Sequence, residues 1–266
     1  MLTYPDIDPV LLHVGPLQLR WYGLMYVLGF AASYLLVRYQ LKQRSFPELQ
    51  ENFENLNIAL IISMIIGARL GYVLFYNPAY YLAHPLEIAA TWSGGMSFHG
   101  GAIGLVVGGW WYARKKKIPF FKAADIYMVT IPIGHGLGRL GNFINGELFG
   151  RPSGLPWAMV FPGGGPFPRH PSQLYEAFFE GLVLFVLLWS LRHRPYQGYR
   201  LWPHGSLLAL FFIGYGILRF FIEFTREPDA QIGLIGAFSM GQILCCLMIA
   251  AGVLLWYQLV RSGVRG

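Results

Sequence analysis

"HGLGRLGNFINGELFGRP", residues 135–152, changes solvent halfway along. Its first half closes an apolar run of spanning length, about 20 residues. Its second half is dense in Gly, Asn, Glu and Arg. Lipid-exposed backbone without internal hydrogen bonds is not tolerated at membrane depth. The stretch therefore reads as the end of a transmembrane helix and the start of a polar cap. The composition agrees. Of 266 residues, 55% are hydrophobic, 17% aromatic and only 12% charged, and the mean hydropathy is +0.45. A soluble domain carries about 25% charged residues. The apolar runs recur along the whole length, which excludes a soluble protein with one anchor. They predict an all-α polytopic membrane protein, a single transmembrane domain over 1–266.

Working outward, seven spans are expected, at about 17–37, 56–76, 95–113, 122–141, 174–191, 204–225 and 236–260. The connections "QLKQRSFPELQEN", "NPAYYLAHP", "RKKKIPFFK", "RHRPYQGYR" and "TREPDAQIG" hold most of the Pro and charge. "MLTYPDIDPV" has no basic n-region, so the first apolar segment is expected to remain a span rather than a cleaved signal. Thirteen of the 20 Lys and Arg fall in one set of alternate loops, ending with Arg265, and four in the other. By the positive-inside rule the N-terminus lies outside and the C-terminus in the cytoplasm. "RKKK" at 114–117 is then a cytoplasmic anchor. Residues 142–172, between spans four and five, form a small external cap, with room for extended pieces at "PWAMVF". Cys245 and Cys246 are adjacent and read as buried apolar thiols.

Three arginines remain inside spans: Arg69, Arg139 and Arg219. An arginine at a helix centre costs about 2.5–3.5 kcal/mol to insert, and its default reading is functional. At 1.5 Å per residue, Arg139 lies about 25 Å and Arg219 about 22 Å from the cytoplasmic ends of their spans, in the outer leaflet. His99 and Tyr26 fall at the same level, and Arg69 nearer the middle. Two arginines at one depth repel unless something anionic lies between them, and a guanidinium fork suits phosphate. Glu147, Glu176, Glu180, Glu223 and Glu227, with Asp229, lie near enough to compensate. Glu223 is four residues from Arg219 and three from Arg226, placed to neutralise or orient one of them.

Plainer readings stand beside these. Arg69 fits a structural ion pair as well as a functional role. His135, four residues from Arg139, reads better as a packed, hydrogen-bonded core histidine. The glycine stripes 134/138/141 and 100/104/108 read as close helix packing. The residues thus imply a membrane protein that handles a phospholipid or polyprenyl phosphate at an outward-facing site. They do not specify the reaction.

Five blocks carry a resemblance: "RWYGLMY" (20–26), "GGMSFHGG" (94–101), "GRLGNFINGELFGRP" (138–152), "RHPSQLYE" (169–176) and "LRFFIEFTREPD" (218–229). Together they resemble the bacterial prolipoprotein diacylglyceryl transferases, over nearly the whole chain and in that family's order. The resemblance implies transfer of the diacylglyceryl group of phosphatidylglycerol to the thiol of the lipobox cysteine in a prolipoprotein signal peptide. Glycerol phosphate leaves and a thioether remains. The place implied is the outer face of the bacterial cytoplasmic membrane, as the first step of lipoprotein maturation. Arg139 and Arg219 match the family's essential arginines. His99, Tyr26, Asn142, Glu147, Gly150, Tyr215 and Glu223 match further important positions.

The chemistry expected there is electrostatic. Arg139 and Arg219 stabilise charge as it develops on the leaving phosphate. A free thiol has a pKa of about 8.5, and its thiolate is the nucleophile, so a base or a positive field must help. His99 is the candidate base, beside the plainer readings that it only hydrogen-bonds the cap or that the arginine field alone lowers the thiol's pKa. Arg226 would join the headgroup contacts, Asn142 and Asn145 would hydrogen-bond the headgroup or fasten the cap, and Glu147 and Glu223 would orient the arginines. No cofactor, no metal and no nucleic-acid partner is expected, since the sequence displays no tight cluster of His, Cys or carboxylate ligands. The partners expected are the two substrates and membrane lipids, both substrates arriving through lateral openings between spans. The competing classes are an anionic lipid transporter or flippase, which predicts charges through the whole bilayer depth and repeat symmetry, and a lipid-dependent scaffold.

Overall fold

The computed structural model describes residues 2–5, 7–15, 17–91, 94–227, 234–235 and 238–263. Asp229 and Arg265 lie outside them. The chain divides into two compact units, Met1–Gln40 with Ala124–Gly266, and Leu41–Ala123. Among the described residues five helices are long and apolar enough to cross a membrane: Trp21–Lys42, Pro47–Phe75, Ser172–Tyr196, Ser206–Thr225 and Met240–Ser262. This is an α-helical polytopic membrane protein. Large apolar side chains such as Ile62, Ile66, Leu74, Leu247 and Leu254 point outward from these helices, as lipid-facing positions require. Where the sequence predicts seven spans, the third and fourth are not among the five.

In the Leu41–Ala123 unit, α2 (Pro47–Phe75) packs on α4 (Phe98–Lys115), with α3 (Pro78–Ala83) between them in sequence. Helix α2 starts nine residues before the expected span. Pro47 at its first position and Glu48 in its first turn suit a helix start. The α4 glycine stripe packs as expected: a Cβ on Gly100 would lie 2.4 Å from the Gly67 carbonyl oxygen, and one on Gly104 2.2 Å from that of Ser63. Arg69, buried on α2, makes no ion pair among the described residues. Its guanidinium donates to the carbonyls of Glu87 (2.6 Å), Ile88 (2.8 Å), Gly94 (2.6 Å) and Gly95 (3.1 Å). It organises the α3–α4 connection through backbone dipoles. His99 stands exposed on the first turn of α4, whose cap is Ser97 accepting from Gly100 N at 3.2 Å.

In the other unit, β1 (Val10–Val14) and β2 (Leu17–Arg20) form an antiparallel hairpin that enters α1 (Trp21–Lys42). The first helix therefore begins four residues later than expected. The predicted fourth span is broken into α5 (Phe120–Met128) and α6 (Ile131–Ile144). Pro132 supplies no N–H for the carbonyl four residues earlier. Thr130 turns the chain, its N–H and hydroxyl both donating to Tyr127 O at 2.9 and 2.7 Å. The fifth span runs through α7 (Ser172–Glu176), a π-helical turn (Ala177–Val183) and α8 (Leu184–Leu191). Then come α9 (Ser206–Ile222) and α10 (Met240–Ser262), joined in part by the two-residue strands β3 (Leu234–Ile235) and β4 (Phe238–Ser239). Val129, Leu184, Leu188 and Leu207 form a fully buried core, with Tyr215 and Leu218 packed on it. Cys245 is buried and Cys246 is exposed, so the expected pair of buried thiols holds for one of them.

The α6–α7 connection is irregular, as its Gly and Pro content predicts. It is stitched by isolated bridges, Gly150 with Arg226, Pro152 with Arg169, and Met159 with Arg169. Phe161, 2% exposed, stacks on Phe149 and meets Tyr4, whose hydroxyl donates to Phe143 O at 2.6 Å. The π turn is held close to α6 by glycine: a Cβ on Gly181 would lie 2.7 Å from Gly136 Cα. Of the expected α6 stripe, Gly134 and Gly141 face α1 at Gly29 and Tyr22, while Gly138 faces open space.

Candidate functional site: a buried arginine–carboxylate cluster

Helices α6 and α7, the π turn, α9 and the short turn after it bring His135, Arg139, Glu176, Glu180, Arg219, Glu223 and Arg226 together. Glu176, at the end of α7 and fully buried, is their centre. Its Oε2 lies 2.7 Å from Arg139 Nε and 2.8 Å from Arg219 Nη1, and its Oε1 accepts from Arg226 Nη1 at 2.8 Å. Glu180, also fully buried, lies one turn on. Its Oε2 is 2.7 Å from His135 Nε2, and its Oε1 is 3.7 Å from Arg219 Nη1. Glu223 faces both Arg219 (3.0 Å) and Arg226 (3.5 Å), so it serves the two arginines and not one of them. Its other oxygen accepts from Ser239 Oγ at 3.1 Å. Ser239 also caps α10, in a capping box with Gln242.

Local sequence explains why these groups meet. Arg219, Glu223 and Arg226 follow one another at spacings of four and three, which stack on one helix face. Glu176 and Glu180 are four apart across the start of the π turn, and π turns recur at functional sites. The Gly136–Gly181 contact lets α6 approach closely enough for His135 to reach Glu180. Three unit positive charges so close would repel, by about 4 kcal/mol for a pair about 4 Å apart at an effective dielectric of about 20. The three carboxylates offset this. Removing one partner of such a buried set leaves an uncompensated charge and costs about 3–5 kcal/mol.

A second network frames Arg139. Its Nη1 donates to Asn142 Oδ1 at 3.3 Å. Asn142 Nδ2 donates to Glu147 Oε1 at 2.9 Å, and Asn145 Nδ2 to the same oxygen at 3.2 Å. The Glu147 carbonyl accepts from Gln173 Nε2 at 2.6 Å, tying the loop back to α7. Glu147 thus orients Arg139 through Asn142, not by direct pairing. Gly150 has a packing reason of its own: a Cβ there would lie 2.2 Å from the Thr225 carbonyl oxygen. Arg169 pairs with Glu227 beside it. Tyr215 sets its ring edge to His135, with centroids 5.4 Å apart at 88°. Tyr26 and Tyr22 share a hydroxyl contact of 3.0 Å on α1.

The structure therefore gathers Arg139, Arg219, Arg226, Glu223 and Tyr215 in one cluster, and links Asn142, Asn145 and Glu147 to it. His99 belongs to the other unit. The sequence reading counts Glu176 and Glu180 among compensating acids but not in the site. The signal was present in "QLYEAFFEG", where two acids four apart stand in an apolar span, at the same cost as the arginines. His135 is hydrogen-bonded, as expected, but to a carboxylate of the cluster. The expectation that no His and carboxylate ligands cluster is corrected: His135, Glu176 and Glu180 bring ligand atoms within 4.8 Å of one another. Both oxygens of Glu176 already face guanidinium groups, so this carboxylate is committed to arginines.

Comparison with known proteins places this geometry in context. Residues 9–258 match the family described as prolipoprotein diacylglyceryl transferase. The chain is 56% identical to the phosphatidylglycerol–prolipoprotein diacylglyceryl transferase of Desulfotalea psychrophila, over 99% of this chain and 97% of the relative. It is 53% identical to the protein of the same name from Bordetella avium, over 100% and 99%. For that of Geobacter sulfurreducens the figures are 51% identity over 95% of each chain.

Proposed function

The chain belongs to the prolipoprotein diacylglyceryl transferase family, and we propose that its arginine–carboxylate cluster holds the phosphate of the lipid donor. The reaction is transfer of a diacylglyceryl group from phosphatidylglycerol to a prolipoprotein. The observation that carries the site assignment is the convergence of Arg139, Arg219 and Arg226 on Glu176 at 2.7–2.8 Å. Three guanidinium groups at one point suit a phosphodiester better than any neutral group.

The proposed acceptor is the lipobox cysteine of the signal peptide. Its sulfur attacks the glyceryl carbon bonded to the phosphate oxygen. The C–S bond forms as the C–O bond breaks, and the electron pair leaves with glycerol phosphate. The phosphate gains charge in that step, and Arg139 and Arg219 stabilise it where it develops. Arg226 and Asn142 complete the phosphate contacts, with Asn145 and Glu147 behind Asn142. Glu223 orients Arg219 and Arg226. Tyr26, Tyr215 and Gly150 shape the donor's surroundings. His99 takes the thiol proton, a task suited to an imidazole near neutral pH. No cofactor enters this scheme.

The same reading supplies topology. Helix α4 and the broken α5–α6 pair complete seven spans in a bacterial inner membrane, with the N-terminus and residues 142–172 outside and the C-terminus in the cytoplasm. The distribution of Lys and Arg supports this. Both substrates are amphiphiles and reach the cluster laterally. A flippase is disfavoured, since three arginines and three glutamates gather at one cluster and the sequence shows no repeat. The test is direct. Purified protein with phosphatidylglycerol and a lipobox peptide adds one diacylglyceryl mass to the cysteine, and Arg139→Ala does not.

A further inference from the structure

The three guanidinium groups are close to Glu176 without all being hydrogen-bonded to it. Arg226 Nη1 makes an aligned bond to Oε1. Arg139 Nε and Arg219 Nη1 lie at 2.7 and 2.8 Å from Oε2, yet among the described residues Oε2 accepts no aligned hydrogen bond, and neither does Arg219 Nη1 donate one. Both atoms are buried. A buried charged donor and acceptor left unaligned is costly, and such groups in native structures call for an explanation. Here the charges attract although Arg219 Nη1 and Glu176 Oε2 are not aligned with each other. The arginines also come from different places in the chain, Arg139 from α6, Arg219 from α9, and Arg226 from the turn after it. Among the described residues Glu176 is the one carboxylate near all three.

We infer that Glu176 is a positioning residue for the transfer reaction: its carboxylate holds Arg139, Arg219 and Arg226 in place by charge while leaving N–H donors of Arg139 and Arg219 directed to a phosphate. This rests on the reading of the cluster as the donor's phosphate site. Glu176 does not itself touch the anion, which would be repelled by it. Its work is done before substrate arrives, by keeping three mutually repelling cations in one arrangement. Preorganised donors of this kind act mainly on the transition state. Glu180, whose Oε2 is occupied by His135, and Glu223, whose Oε1 is occupied by Ser239, anchor the outer sides of the same set.

The test compares the parent with Glu176→Gln and Glu176→Asp in detergent or nanodiscs. The readouts are transfer to a lipobox peptide at varied phosphatidylglycerol and thermal unfolding of each protein. Gln keeps the shape and removes the charge. The folded fraction of Glu176→Gln is expected to lose about a hundredfold in kcat, the loss seen when a preorganised donor is removed, with a much smaller change in KM. Glu176→Asp keeps the charge about 1.5 Å back and falls between Glu176→Gln and the parent, since about 1 Å of misplacement is already costly. If Glu176→Gln does not fold, Glu176→Asp decides. Parental kcat in folded Glu176→Asp, or in folded Glu176→Gln, overturns the role even if the unfolding temperature drops. A parent that transfers nothing overturns the functional reading and this role with it, whereas a transferring parent matched by Glu176→Gln overturns this role alone.

Discussion

His135 Nε2 and Glu180 Oε2 lie 2.7 Å apart, joining α6 to the π turn at the edge of the arginine cluster. The pair depends on Gly136 and Gly181, since a Cβ on either would lie 2.7–3.0 Å from the other's Cα. Gly181→Ala should therefore push the two elements apart. The expected cost is about 1–3 kcal/mol, as for overpacking elsewhere. Thermal unfolding in detergent measures it, and an unchanged midpoint would show that the contact is looser than the structure has it.

The phosphate reading makes the arginines non-interchangeable with lysines. Arg139→Ala and Arg219→Ala should each lower transfer by about a hundredfold or more. Arg139→Lys should recover little, because an ammonium cannot present the planar fork. Steady-state transfer to a lipobox peptide decides this. Near-parental rates in Arg139→Lys would mean that charge alone suffices there.

For the thiol proton, His99→Gln should depress kcat and flatten the dependence of rate on pH near neutrality. Retention of near-normal turnover in His99→Gln would remove His99 from the mechanism and leave the arginine field to lower the pKa of the substrate thiol.

Away from the cluster, Asp125 is fully buried on α5 and accepts from Gly205 N (2.7 Å), Leu207 N (2.9 Å) and Leu208 N (3.2 Å) at the start of α9. It serves as a helix cap supplied from another element. Asp125→Ala should destabilise the protein by about 1–3 kcal/mol, with kcat of the folded fraction unchanged. A fall in kcat without a fall in stability would contradict a purely structural role.

In the α6–α7 connection, burial lowers the pKa of His170 from the ordinary value of 6.5. The unfolded chain therefore takes up a proton at higher pH than the folded one. Stability from this site is present above about pH 6.5 and declines as pH falls toward the folded-state value. Thermal midpoints should drop in mild acid, and His170→Gln should reduce that dependence.

Much of this was legible in the residues. Apolar runs of spanning length, the polar break after Arg139 and the 219/223/226 spacing located the helices and half of the cluster. The break within span four is not legible, because Pro132 interrupts a run whose hydropathy is continuous. The α2 start at Pro47 was hidden because its first turns are polar and outside the apolar stretch. From spacing alone Glu176 and Glu180 read as compensating charges. Only the three-dimensional meeting of α6, α7 and α9 shows one carboxylate against three arginines, and the π turn that carries Glu180 has no sequence period to reveal it. Arg69 could not be read at all from spacing, since its partners are backbone carbonyls.

The central claim is most directly tested by the mass of a lipobox peptide incubated with purified protein and phosphatidylglycerol. The account predicts a gain of one diacylglyceryl group on the cysteine, with glycerol phosphate released, and no gain with Arg139→Ala. An unchanged peptide mass with phosphatidylglycerol and every other anionic phospholipid offered would contradict it.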